Sequence, residues 1–227
     1  MRLSQATWVA TAFVAATAVV AFWAWTGLPA GAGVPINYLG LDGHRHHGSS
    51  REALWLIPAI AALVTASMTF APNLGMRSGV ERAAEPFDAT LIGVAGLLFI
   101  VQTALIGRAI DADFNVMRPV DIATGVLLIG VGNYLGKAHR NGIFGLRTPW
   151  TLADASVWDK THRFTGRAMF AGGVMLIALS FLLRNGAALG VSIGVCTALP
   201  LLAGVARSRS LAQAAGHGAI VTPRHDR

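Results

Sequence analysis

The sequence predicts an all-α fold: a polytopic membrane bundle of about six transmembrane helices, with a cytoplasmic interfacial helix before the fifth. Three observations predict it. Hydrophobic residues make up 54% of the 227 and charged residues only 13%, against about 25% charged in soluble domains. The mean hydropathy is +0.55. Uncharged apolar runs of span length recur along the chain, separated by short polar connections.

The first span is read at 8–28, within a stretch from Arg2 to Asp42 that holds no charge. Its apolar part exceeds the 7–15 residues of a signal-peptide core, so it is expected to be retained. The connection after it, "PAGAGVPINYLGLDGHRHHGSSRE", is rich in Gly and Pro and reads as irregular. The second span is read at 53–72 and the third at 89–107. The fourth opens at Pro119, a favoured first-turn residue, and closes near Gly136. The uncharged run 168–183 is short, about 24 Å of helix. The fifth span is therefore expected to begin earlier, with Arg167 snorkelling to the headgroups. The sixth is read at 185–206, and 207–227 reads as a disordered tail. These elements divide the chain into an N-terminal two-span module, 1–85, a four-span region, 86–206, and the tail.

Orientation follows from the eighteen Lys and Arg residues. With the N-terminus inside, one side holds Arg2, Arg77, Arg82, Lys137, Arg140, Arg147, Lys160, Arg163, Arg167, Arg207, Arg209, Arg224 and Arg227. The other holds Arg45, Arg51, Arg108, Arg118 and Arg184. That asymmetry places both termini in the cytoplasm of a plasma-membrane protein. The net charge of +7 is then a topology signal with attraction to anionic lipid as a corollary. Direct nucleic-acid binding is the poorer reading, because the cations are spread along membrane edges.

Few features suggest chemistry. His44, His46 and His47 in "GHRHHG", beside Asp42, offer imidazoles to a metal, but Arg45 in their midst disfavours a cation, so no metal or cofactor is expected. Asp111 and Asp113 read as a solvated turn. No HExxH, GxSxG or P-loop is present, and no enzyme activity is expected. His162 and Asp159 share a helix face while the neighbouring Thr161 points elsewhere, which is a poor triad. The single cysteine, Cys196, reads as a packing residue. Within the spans Gln102, Asn133 and Asp121 are the polar groups available to line a solute or ion path, although Asp121 in a first turn suits a cap. Gly132 with Gly136, and Gly190 with Gly194, have the spacing of close helix contacts.

Polar and aromatic chemistry concentrates at 141–163, "NGIFGLRTPWTLADASVWDKTHR". Asn141 and Gly142 mark a turn. Pro149 forces Thr148 into an extended elbow. Thr151 has the position of an N-cap, with Asp154 three residues on. The helix expected from there places Trp158 beside Lys160 and Arg163, as an interfacial helix would. Trp150 and Trp158 read either as aromatic-belt anchors or, with His162, as a defined pocket. The Arg147 guanidinium is expected to tie the Gly142–Gly145 carbonyls, Asp154 or Asp159 across the elbow.

The run 133–166 closely resembles the signature of the SdpI family of bacterial membrane proteins. In that family N-x-x-x-G-x-R-T-P-W-T-L precedes W-x-K-T-H-R-x-x-G. The matching residues are Asn133, Asn141, Gly145, Arg147, Thr148, Pro149, Trp150, Thr151, Leu152, Trp158, Lys160, Thr161, His162, Arg163 and Gly166. "LPAGAGVPINYLGLDG" resembles a degraded form of the outer loop of an N-terminal two-span module found in that family. Asn37 stands where a histidine is common.

The resemblance implies a six-span protein conferring immunity to a secreted peptide or protein toxin, or transducing a signal by holding a transcriptional repressor at the membrane. It also implies that the matched residues from Asn141 to Arg163 bind a partner or form a structural signature. A solute or ion pathway is the alternative, and a membrane-embedded enzyme using His162 and Arg147 a third reading.

Overall fold

The computed structural model describes residues 4–29, 33–39, 45–70, 84–138, 140–141 and 144–220. Helix α1 is Gln5–Gly27, capped by the Ser4 side chain. A β-hairpin follows, β1 Val34–Leu39 and β2 Arg45–Ser50, then a 3-10 turn Glu52–Trp55 leading into α2, Leu56–Phe70. Next come α3, Ala84–Ile110, and α4, Met117–Leu135. A short α5, Pro149–Ala153, precedes the long helices α6, Ala155–Leu182, and α7, Gly186–Ile220.

Five helices among the described residues are long and apolar enough to cross a membrane: α1, the 3-10 turn with α2, α3, α6, and α7 as far as Ala215. The expected fourth span corresponds to α4, whose 19 residues give about 28 Å of helix. It carries Arg118 and Asp121 and is the least apolar of the six.

What is buried identifies the solvent. The buried residues of α1 are Ala6, Thr7, Ala10, Thr17, Ala21 and Ala24. Its large apolar residues Trp8, Phe22, Trp23 and Trp25 face outward, Trp23 at 60% exposure. Leu63 of α2 and Leu182 of α6 are likewise 70% and 74% exposed. In water such a surface would aggregate. In lipid it costs nothing, and small residues bring the helices together. Thr11, Thr17, Thr90 and Thr103 donate their hydroxyls to carbonyls one turn back, so these polar groups need no water. The chain is a multi-pass membrane protein.

Two packing groups share α3: it packs on α1 and α2 on one side and on α4 on the other. Helices α4, α6 and α7 form the second group, and the α4–α6 contact is the most extensive in the molecule. The α4–α6 contact runs almost backbone to backbone. A Cβ at Gly125 would lie 2.7 Å from the Gly173 carbonyl oxygen, and one at Gly132 would lie 2.6 Å from that of Gly166. Of the glycine pairs noted in the sequence, Gly132 and Gly136 do meet α6. Gly190 and Gly194 do not make a close contact: a Cβ at Gly194 would meet nothing within 4 Å.

The loop after α1 differs from expectation. It is a hairpin, with Val34 paired to Ser50 and Leu39 to Arg45. Alternation of Val, Ile and Tyr in "VPINYL" supports β1 despite the flanking glycines. Arg51 donates to the Leu28 carbonyl, and Leu54 packs with Ala24, Leu28, Val34 and Ile106, which seats the hairpin on the ends of α1 and α3. His46 and His47 are in β2. His44 and Asp42 lie outside the described residues, as do Arg77 and Arg82.

The tail also differs. Helix α7 continues through Pro200 to Ile220, so 207–220 is helical; 221–227 lies outside the described residues. The proline is accommodated within the span, as bundle helices in lipid allow.

Candidate functional site

The segment between α4 and α6 folds as one interlocked unit. Asn141 is buried and its Oδ1 accepts from the Phe144 amide at 2.7 Å, closing a turn that directs Phe144 into the core beside Leu135 and Met169. Gly145 follows with φ +117°, a conformation open to glycine and hardly to other residues. Its missing side chain also makes room: a Cβ there would overlap His162 Nε2 and come within 3.4 Å of Trp158 Cη2.

The elbow is where Pro149 requires it, but the cap is not at Thr151. Thr148 is extended, with φ −90° and ψ 158°, and its side chain accepts from the Thr151 amide at 3.2 Å. In return Thr151 Oγ1 accepts from the Thr148 amide at 3.0 Å. This reciprocal box caps α5 with Pro149 in the first turn, where its missing N–H leaves nothing unsatisfied. Thr151 Oγ1 donates to the Leu146 carbonyl at 2.7 Å, and Thr148 Oγ1 donates to Ser208 Oγ of α7 at 3.2 Å. Asp154 begins a second helix instead, accepting from the Val157 amide at 2.9 Å. The expected interfacial helix from Leu152 is thus divided: Asp154 separates the five-residue α5 from α6, and Trp158, Lys160 and Arg163 belong to the first turns of α6, which is continuous with the fifth span.

Trp158 and His162 form the centre. Both are essentially fully buried, and their rings stack at 3.9 Å with 18° between planes. The indole Nε1–H donates to the Ala138 carbonyl at 2.8 Å, tying α6 to the end of α4. The Leu146 amide donates to His162 Nε2 at 3.0 Å. Nε2 must therefore carry a lone pair, so Nδ1 holds the proton and donates to the Trp158 carbonyl at 2.8 Å. Both ring nitrogens are engaged by backbone, and none remains for a base or a metal ligand. Asp159 is exposed, while Thr161 is buried with an unpaired hydroxyl, so the residues of the weak triad are not assembled. Trp158 is no belt anchor; Trp150 is half-buried and stands outside the stacked pair.

The cations go elsewhere. Arg147 and Lys160 are exposed, and their side chains make no hydrogen bond or ion pair among the described residues. The expected tie from Arg147 to the Gly145 carbonyl, Asp154 or Asp159 is absent among them, and Gly142 lies outside the described residues; the elbow is closed by threonine hydroxyls. Arg163 is also exposed and lines a cleft between α4 and α6.

The path residues do not share a path. Gln102 donates to the Leu54 carbonyl at 3.1 Å. Asp121 is buried and no cap; it accepts from Ser192 Oγ of α7 at 3.0 Å. Asn133 is exposed, twelve residues further along α4, about 18 Å away along the axis. Cys196 is buried in the core of the second packing group, as a packing residue would be.

The family model for the SdpI/YfhL protein family matches residues 137–206. Over this stretch the chain is similar to the SdpI family. Among curated proteins it is similar to the Immunity protein SdpI of Bacillus subtilis (strain 168), 34% identical over 85 residues, which is 37% of this chain and 41% of the relative. The chain thus spans about two fifths of the length of the curated relative it matches. No solved structure matches it. The matched region opens at Lys137, just past α4, and contains Asn141, Gly145, Thr148, Thr151, Trp158 and His162. Sequence reasoning missed Ala138, Leu146 and Ser208, the groups that receive these side chains. The first two act through their backbones, which leave no mark on residue identity.

Proposed function

We propose that this protein is an immunity protein of the SdpI type, protecting a bacterial cell against a secreted toxin by binding it or its target at the plasma membrane. The reading is supported by the similarity to an immunity protein and by one feature of the site: the signature divides into an inner and an outer set. Asn141, Gly145, Thr151, Trp158 and His162 face inward and fix the backbone, and Thr161 is buried beside them. Arg147, Pro149 and Lys160 face outward with Trp150 beside them. An interlocked scaffold presenting exposed cations and an indole suits recognition of a partner, since Trp and Arg are favoured anchors at interfaces. Charge excess on this side argues for a cytoplasmic location of the loop.

The test is survival of a sensitive bacterium carrying the gene, challenged with a secreted antibacterial peptide toxin. Protection is expected for the wild type. It should fall at least tenfold for the Arg147→Ala, Lys160→Ala double variant at unchanged membrane levels. Equal killing of cells with and without the wild-type gene would refute the immunity reading. Full protection by the double variant would remove the outer face from it.

A further inference from the structure

A second site lies beside the Trp158–His162 lock, over the contact of α4 with α6. Helices α4 and α6 touch through Gly132, Gly136 and Gly166, and because these have no side chains a cleft of about 470 Å³ opens over the contact. That is within the range of small-molecule sites. Asn133 and Lys137 line it from the α4 side, and Arg163, Arg167 and Phe170 from α6. The α6 residues are four and three apart, so they stand on one helix face, in order of depth from the chain's polar loop toward the apolar span.

Three cations on one small cleft repel one another unless something negative sits among them. None of the Lys137, Arg163 and Arg167 side chains has a hydrogen bond or ion-pair partner among the described residues, and all three residues are exposed. The site resembles half of a binding pair: two guanidiniums able to bind phosphate oxygens in a planar fork, an ammonium opposite, and the Asn133 amide as a further donor. Phe170, one turn below Arg167 in the direction of the apolar span, is 47% exposed and offers the first apolar surface beneath the headgroup level.

We infer that this cleft is a binding site for an anionic phospholipid, with the phosphate of its headgroup held by Lys137, Arg163 and Arg167 and its acyl chains descending past Phe170. Charge complementarity and the step from cations to an aromatic ring select a lipid over a free anion, which would use the upper half only. Scattered cations at a membrane edge attract anionic lipid without order, by about 1 kcal/mol each. Here a glycine floor gathers three of them around one cavity.

The full-length protein, purified in a neutral detergent, is titrated with phosphatidylglycerol and with phosphatidylcholine. Bound lipid is counted by native mass spectrometry and the thermal midpoint is followed in parallel. The wild type is expected to retain one phosphatidylglycerol at least tenfold more tightly than phosphatidylcholine. Lys137→Gln, Arg163→Gln, Arg167→Gln together should abolish that preference. A charge-matched control, Arg140→Gln, Arg207→Gln, Arg209→Gln, should keep it. Arg167→Gln alone, which lies outside the Trp158–His162 lock, should weaken it severalfold and serves if the triple variant does not fold. Equal loss in the control would show diffuse electrostatics and overturn the site. Displacement of the lipid by millimolar inorganic phosphate, with the same stabilisation, would overturn the lipid and leave an anion site.

Discussion

Gly145→Ala is the sharpest probe of the lock. Two costs act at once. At φ +117° an alanine sits in a region held almost entirely by glycine, a strain of about 1–3 kcal/mol. Its Cβ would also overlap His162 Nε2, so ring and loop must part. The Leu146 N–H···Nε2 bond of 3.0 Å is then lost at a buried site, about 1–3 kcal/mol more. Relief is poor, because the ring is pinned on its other side by the Trp158 carbonyl and stacked on the indole. The sum, about 2–6 kcal/mol, is a large part of the 5–15 kcal/mol typical of a folded domain. The control is Gly194→Ala, where an added Cβ meets nothing within 4 Å and alanine is the better helix former by up to about 1 kcal/mol. Unfolding of both variants in mixed micelles, followed by tryptophan fluorescence, should show opposite signs: a large loss for the first, none or a gain for the second. If Gly145→Ala stays within about 0.5 kcal/mol of wild type, the level expected of an unremarkable surface change, the lock as described is wrong.

Trp158→Phe keeps an aromatic ring over His162 but strands the Ala138 carbonyl; a loss of about 1–3 kcal/mol is expected, and wild-type stability would return Trp158 to the status of a filler. Gly166→Ala places a Cβ 2.5 Å from the Gly132 carbonyl oxygen. It should cost about 1–3 kcal/mol and weaken cysteine cross-linking between α4 and α6, whereas Gly190→Ala, whose nearest contact is Met117 Sδ at 3.9 Å, should do neither. For topology, single cysteines at Ser156 and Ser49 in a Cys196→Ala background are labelled with an impermeant maleimide on intact cells. Position 49 should react and position 156 should not; the reverse pattern inverts the orientation.

Much of this architecture is legible in the sequence because lipid imposes simple rules. An absence of charge over span lengths fixes where helices run, and Pro149 fixes an elbow at Thr148 whatever surrounds it. The motif residues also stand out, since Trp, His, Arg and Thr are conspicuous against alanine and leucine. The hairpin was not legible: Gly and Pro around "VPINYL" signal turns as readily as a short strand pair. Nor was the helical continuation of α7, whose composition past Ala206 resembles that of a frayed end.

Only the tertiary structure decided which face of each helix is inside. In water, an apolar stripe marks the buried face. In a bilayer both faces are apolar, so that periodic signal vanishes and residues such as Trp23 and Leu182 can lie outside while Ala21 and Thr165 are buried. The same ambiguity governs the signature. Lys160, Thr161, His162 and Arg163 are consecutive, yet two are exposed and two are buried, and their partners are backbone groups at Ala138 and Leu146. A carbonyl or amide is present at every residue, so no sequence can name the one that will accept an indole or meet an imidazole. That choice belongs to the glycine-lined contact of α4 with α6, which sets how closely two backbones approach and therefore which groups come within reach.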